Sequence, residues 1–254
     1  MTRWTINAPD WLTARPIAHR GLHSIKFGLV ENTPAAAAAA IAKNYAIECD
    51  IQCTKDGEAV VFHDFTLERL MRADGRVDTF GAHDLGRLAY KDCDQKIVSL
   101  TEFLARIGGR TPVVVEIKSR YDGDMRLADR AMAAVAAYAG PACLKSFDPA
   151  MLVYLRDAGA RFPLGLVAQA RYESGEEWAG LPQDRRASFA DFRDFPLARP
   201  DFLSWNFVDL PHAVTMLCRE GIGMPVMTWT VRSREALVRG GLWADQIIFE
   251  GFEP

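Results

Sequence analysis

Alternation is the feature that most narrows what this chain can fold into. Short apolar runs near residues 16–19, 45–51, 58–62, 112–117, 142–146, 163–168, 202–205, 225–230 and 246–249 have the length and composition of buried strands. Helical patterns lie between most of them, at 33–43, 99–107, 124–139, 148–158, 210–220 and 233–240. The first helix carries a clear start signal, Asn32 or Thr33 as cap followed by Pro34. Strand–helix repetition of this kind builds a parallel sheet, and the number of units fits a closed barrel. Nine runs are one too many for eight places. Only Gln52 to Gly57, with its Lys55-Asp56-Gly57 turn, separates run 58–62 from its predecessor, too few residues for a right-handed crossover. Residues 51–62 are therefore expected to form a hairpin rising from the second barrel strand and carrying His63 over the mouth. The expected fold is one TIM-type (β/α)8 barrel domain over residues 1–254, a natural size for a barrel of roughly 250 residues.

Residues 65–98 are polar, broken by Asp74-Gly75, and without a long period. They read as a small insertion in the second β–α connection, a lid or wall over the pocket. The stretch 171–198, with Glu173 to Glu177 and Phe189 to Phe195, reads as a second excursion at the rim. There is no internal repeat and no linker rich in Gly, Pro or Ser.

Chemistry-bearing residues gather early in the chain: His19-Arg20-Gly21, Glu31-Asn32-Thr33-Pro34, Glu48-Cys49-Asp50 and His63-Asp64, with Glu116-Ile117-Lys118 following. Side chains at i and i+2 of a strand share a face. Glu48 and Asp50 therefore point together, away from Ile47, Cys49 and Ile51, and Glu116 and Lys118 form a second such pair. Two like charges on a buried barrel face are costly without a cation. Three converging carboxylates suit Mg²⁺ or Ca²⁺, which take oxygen ligands. Histidines can give or take protons near neutrality. The eight barrel strands place His19, Glu48 and Asp50, Glu116 and Lys118, Ser146, Asn206, Trp229 and Glu250 at strand ends, the rim where barrel enzymes put their chemistry. Metal-assisted phosphoryl transfer is the reaction type this set points to.

With these motifs in order, the sequence resembles the glycerophosphodiester phosphodiesterases, within the wider phospholipase-C-like phosphodiesterase group. The resemblance rests on His19-Arg20-Gly21, Glu31-Asn32-Thr33-Pro34, Glu48-x-Asp50 with Thr54-Lys55-Asp56-Gly57, Val60-Val61-Phe62-His63-Asp64, Glu116-Ile117-Lys118, Ser146-Phe147-Asp148 and Val226-Met227-Thr228-Trp229-Thr230-Val231. It implies His19 and His63 as the acid/base pair and Glu48, Asp50 and Glu116 as ligands of one divalent cation. Arg20 and Lys118 would hold the phosphodiester, with Trp229 beside it. Two places depart from the family pattern. Arg232 follows Val231 where many members carry Asn, and Phe249-Glu250-Gly251 replaces a Thr-Asp-containing strand end. Both lie where the rim of a substrate pocket is expected, so they bear on the leaving group rather than the reaction.

Other classes are disfavoured. A net charge of −3 gives no reason to expect nucleic acid or an anionic membrane as partner, so the expected partner is a small phosphodiester. No apolar run approaches the roughly 20 residues of a membrane span. Met1 to Pro16 lacks an apolar leader core, and a cytoplasmic enzyme is the default. The five cysteines, at 49, 53, 93, 143 and 218, are an odd, scattered set that argues against a disulfide framework or a zinc knuckle. His23, His83 and His212 lack partners in the sequence and read as surface or structural. Two rival functions remain: a related barrel phosphodiesterase acting on lysophospholipid or sphingolipid head groups, and a non-catalytic phosphodiester-binding module. The first needs an apolar channel, and the intact histidine pair argues against the second.

Overall fold

The computed structural model describes residues 5–173, 178 and 181–254. Eight parallel strands close into a barrel: β1 (Ile17–Ala18), β2 (Ala46–Cys53), β4 (Val113–Ile117), β5 (Ala142–Ser146), β6 (Leu164–Ala168), β7 (Phe202–Asn206), β8 (Val226–Val231) and β9 (Gln246–Phe249). Closure is made at β1, where Ile17 pairs with both Ala46 and Ile248. The ninth strand, β3 (Ala59–Val61), runs antiparallel to β2 in the expected hairpin, with Ile51 opposite Val61.

Helices fill the outer layer: α1 (Pro34–Ala42), α3 (Leu100–Ile107), α4 (Arg126–Ala136), α5 (Pro149–Asp157), α6 (Gln183–Ala190), α7 (Phe195–Ala198), α8 (Ala213–Met216) and α9 (Arg234–Trp243), while a short α2 (Ala82–Leu85) lies in the insertion. The starts are locally encoded. Thr33, Asp148 and Ser233 each accept a hydrogen bond from the first turn of α1, α5 and α9, and Pro34 and Pro149 open their helices.

Strand parity divides the core. Ile47, Cys49 and Ile51 of β2, with Val113, Val115 and Ile117 of β4, pack outward against Ala40, Leu104 and Leu127 of the helices. The opposite faces contribute Ala46, Val114, Cys143, Phe202, Met227 and Ile248 to an inner apolar plug that also contains Leu12. Above that plug the interior positions become charged, and the site begins there. Room inside the barrel is tight at Gly165, where an added Cβ would overlap the Phe202 ring.

The structure departs from expectation in three places. The helix expected at 210–220 is a single α-turn, α8, that continues as a wide π-type turn, Leu217–Gly221. Residues 183–198 supply two helices, α6 and α7, in the connection between β6 and β7; α6 is too polar to show an apolar stripe, and α7, Phe195–Ala198, is too short to show a period. Of the stretch Glu173 to Glu177, residues 174–177 lie outside the described residues. The insertion is less polar in effect than its composition suggests: Leu67, Leu70, Met71, Val77, Leu85, Tyr90 and Ile97 pack with Val30, Val60 and Phe62 into a core of their own. Among the described residues no helix is long and apolar enough to cross a membrane.

Because Phe202 is fully buried and has no room to yield, Gly165→Ala is expected to cost about 1–3 kcal/mol of stability, the usual range for an overpacked core. Urea unfolding monitored by tryptophan fluorescence reads this directly, and an unchanged midpoint contradicts the packing described.

Candidate active site

The first interior charge comes from a tight turn after β1. His19 N donates to Phe249 O, and Gly21 N donates to both Ala18 O and Glu48 O. Arg20 adopts a left-handed backbone (φ 57°), which aims its own N–H at Glu48 Oε2, 3.0 Å away. Gly21 is also left-handed, and a Cβ there would stand 2.8 Å from the backbone of Ala36 in α1. Only glycine lets the helix come this close.

Asp50 is clamped by Asn32. The Asn32 amide donates to Asp50 Oδ2 at 2.9 Å, while its carbonyl accepts from Asp50 N at 3.1 Å. Asn32 is left-handed too (φ 57°), a conformation asparagine tolerates. The Glu-Asn-Thr-Pro motif thus divides its labour: Asn32 holds Asp50, Thr33 and Pro34 start α1, and Glu31 holds cations. Glu31 accepts from Arg20 and from Arg69, each at 2.7 Å, and Arg69 continues to Asp64 at 2.6 Å.

Glu48, Asp50 and Glu116 converge, with donor oxygens within 4.8 Å of one another and exposures of 0, 1 and 5%. Two lysines neutralise them. Lys118 Nζ lies 3.0 Å from Asp50 Oδ1 and 2.6 Å from Glu116 Oε1. Lys145 Nζ lies 3.1 Å from Glu48 Oε1 and 2.9 Å from Glu116 Oε2. Arg20 Nε adds a third cation, 3.3 Å from Asp50 Oδ2. Burial raises the Glu116 pKa, but Lys118 and Lys145 outweigh it and bring it down to about 2. Asp50 is held well below its ordinary value by Lys118, His63, Arg20 and His19, against burial. Burial lowers the Lys145 pKa, and Glu48 and Glu116 more than reverse that, leaving it a permanent cation.

A hard divalent cation fits this donor set. All donors are carboxylate oxygens, they already converge, and the buried Glu48 Oε1 has no hydrogen-bond partner although Lys145 lies at ion-pair distance.

Both histidines are built alike. His19 Nδ1 pairs with Glu250 Oε2 at 2.5 Å and His63 Nδ1 with Asp64 Oδ1 at 2.7 Å. A carboxylate on Nδ1 favours the tautomer with the proton there, which leaves Nε2 of each ring for exchange with a substrate. Glu250 is steadied in turn by Arg232, 2.7 Å away. The two departures from the family pattern therefore compensate each other across one ion pair. His23 corrects the sequence reading: its Nε2 lies 3.7 Å from Glu250 Oε2, and His19, His23 and Glu250 form a second cluster of possible ligands. His83 is exposed, and His212 caps α8 and stacks on Trp205.

Trp229 is partly buried. Its Nε1 donates to Ser204 O at 3.0 Å and its ring packs edge-on against Phe147 at 5.5 Å, so it bridges the inner plug and an aromatic wall of Phe147, Tyr172, Trp178 and Phe189. Ser146 does not join the mouth; its Oγ donates to Ile117 O. Sequence reasoning missed Lys145 and Arg69. The first was detectable from parity, since Lys145 shares the inward face with Cys143; Arg69 sits in an insertion that showed no period.

Comparison with known proteins now bears on this geometry. A profile of the Glycerophosphoryl diester phosphodiesterase family matches residues 19–246, from the first histidine to the last barrel strand. The chain belongs to that family. A glycerophosphodiester phosphodiesterase from Caldanaerobacter subterraneus subsp. tengcongensis is 36% identical over 111 residues, a segment covering 41% of this chain and 44% of that relative. The match thus spans less than half the length of the curated relative. Among solved structures, an Oleispira antarctica phosphodiesterase in complex with the product sn-glycerol-3-phosphate superposes with a TM-score of 0.75 at 18% identity, covering 93% of this chain and 92% of that one. The Thermotoga maritima glycerophosphodiester phosphodiesterase gives 0.67 at 22% identity, covering 92% of each chain. At these identities the likeness is one of fold, and it agrees with the closed barrel of this family member.

Glu31 offers a pH test. Its carboxyl is brought down from 4.5 to about 2 by Arg69 and Arg20 against burial. A depressed folded-state pKa contributes stability that is complete above the ordinary value and lost as pH falls toward the folded one. Melting temperature should therefore decline between about pH 4.5 and 2 in part through Glu31, and Glu31→Gln should decline less steeply there while being less stable at neutral pH. Parallel profiles for the two proteins contradict the assignment.

Proposed function

We propose that this chain hydrolyses glycerophosphodiesters to sn-glycerol 3-phosphate and an alcohol, in a reaction dependent on a divalent cation, Mg²⁺ or Ca²⁺. The observation that carries the proposal is the convergence of three interior carboxylates with two histidine–carboxylate pairs, on the barrel of a phosphodiesterase family member. Glu48, Asp50 and Glu116 would hold the cation, which when bound offsets negative charge on the phosphoryl oxygens.

The remaining chemistry belongs to the side chains. Arg20 and Lys118 bind the phosphodiester, each already positioned at Asp50. One of His19 and His63 takes the proton from the attacking oxygen, a water or the neighbouring glycerol hydroxyl. The other gives a proton to the alkoxide as its bond to phosphorus breaks. Asp64 and Glu250 keep both rings in the tautomer this exchange requires, and Trp229 flanks the substrate.

A cavity of about 120 Å³ opens beside Lys118. Lys55, Asp78, Arg120, Asp122 and Arg126 line it. Its lining mixes these charges with Cys53, Leu127 and Met151, so we rest the preference for a glycerophosphodiester over a lysophospholipid on family membership. We read the insertion 65–98 as a wall of the site, a reading supported by Arg69, which reaches Glu31 and Asp64. The five free cysteines suit a reducing compartment, and we assign the enzyme to the cytoplasm.

Release of glycerol 3-phosphate from glycerophosphocholine tests the proposal. Activity should vanish in EDTA and return with Mg²⁺ or Ca²⁺, and His19→Ala and His63→Ala should each lower kcat on the order of 10²–10⁴-fold. Turnover that survives EDTA, or survives both histidine substitutions, overturns it.

A further inference from the structure

Lys145 is absent from every motif that identifies the site, yet it sits at the centre of the charge cluster. The strand register aligns Asp50, Glu116, Lys145 and Gly165 in one row across β2, β4, β5 and β6. The Lys145 ammonium bridges Glu48 at 3.1 Å and Glu116 at 2.9 Å, with its side chain 2% exposed. Its situation differs from that of Lys118, which borders a cavity shared with Lys55, Asp78 and Arg120. A cationic side chain as deep as that of Lys145 is tolerable only while its carboxylate partners remain.

From this arrangement we infer that Lys145 is the resident counter-charge of the carboxylate cluster and sets how tightly the divalent cation is held. The inference rests on the cation-site reading above. Glu48 and Glu116 cannot serve the cation without keeping the ammonium close to it. The two positive charges repel, and cation affinity in oxygen sites follows the net charge of the ligand set. One ammonium lowers the formal charge of the three carboxylates from −3 to −2. The consequence is a site weaker for its cation than three bare carboxylates, but partly neutralised and ordered before the cation arrives.

Lys145→Met and Lys145→Gln keep much of the side-chain length and remove the charge. Binding of Mn²⁺, Mg²⁺ and Ca²⁺ by calorimetry, without substrate, compares these variants with the wild type and with Glu48→Gln. Both Lys145 variants should bind at least tenfold more tightly than wild type. Their melting temperatures should fall below wild type in EDTA and recover on adding the cation. If neither wild type nor Lys145→Met binds any of the three ions, the cation-site reading fails and this inference with it. If wild type binds and the Lys145 variants bind equally or more weakly, the counter-charge role fails while the cation site stands. Should both variants fail to fold, the ¹⁵N resonance of the Lys145 ammonium in the wild type decides: a shift on saturation with Mg²⁺ supports the role, and an unmoved resonance overturns it.

Discussion

Charge neutralisation inside the barrel is the interaction on which the rest of this structure depends. β2, β4 and β5 each present an apolar face to the helices, and the same two-residue period drives Glu48, Asp50, Glu116 and Lys145 to the interior. None of these charges can be buried singly, because an unpartnered ion in a low-dielectric interior costs several kcal/mol. They are buried as a set, three carboxylates against Lys118, Lys145 and Arg20, above an apolar, mostly aliphatic plug that closes the barrel beneath them.

The rim extends the same logic outward. Asp50 is linked through Arg20 to Glu31, and Glu31 through Arg69 to Asp64 and His63. On the other side, His19 is tied through Glu250 to Arg232. His19 and His63 thus each belong to a chain of ion pairs that ends on the barrel or its insertion. The helices matter chiefly by fixing where these chains begin: Gly21 lets α1 approach the His-Arg-Gly turn, and Asn32, just before the α1 cap, reaches Asp50.

Much of this could be read from the residues. Parity in Glu48-Cys49-Asp50 and Glu116-Ile117-Lys118 placed the right side chains on one face, and the short turn Gln52 to Gly57 excluded a ninth barrel strand. What escaped is what parity and local spacing do not carry. His23 had no visible partner because Glu250 arrives from the far end of the chain. Lys145 was hidden in a run read as apolar, where the lysine stem makes burial compatible with a strand pattern and only its ion pairs show its role. α6 was missed because its polar face dominates its composition, α7 because four residues show no period, and the insertion core because its apolar residues are spread over short turns rather than one periodic element.

The central claim is that the interior carboxylates, and not the nearby His19, His23 and Glu250 cluster, hold the divalent cation. A crystal of the protein grown with Mn²⁺ and examined by anomalous scattering tests it most directly. The prediction is one strong anomalous peak about 2.0–2.6 Å from oxygens of Glu48, Asp50 and Glu116, the range for hard cations on oxygen ligands. A peak at the histidine cluster with none among the three carboxylates contradicts it.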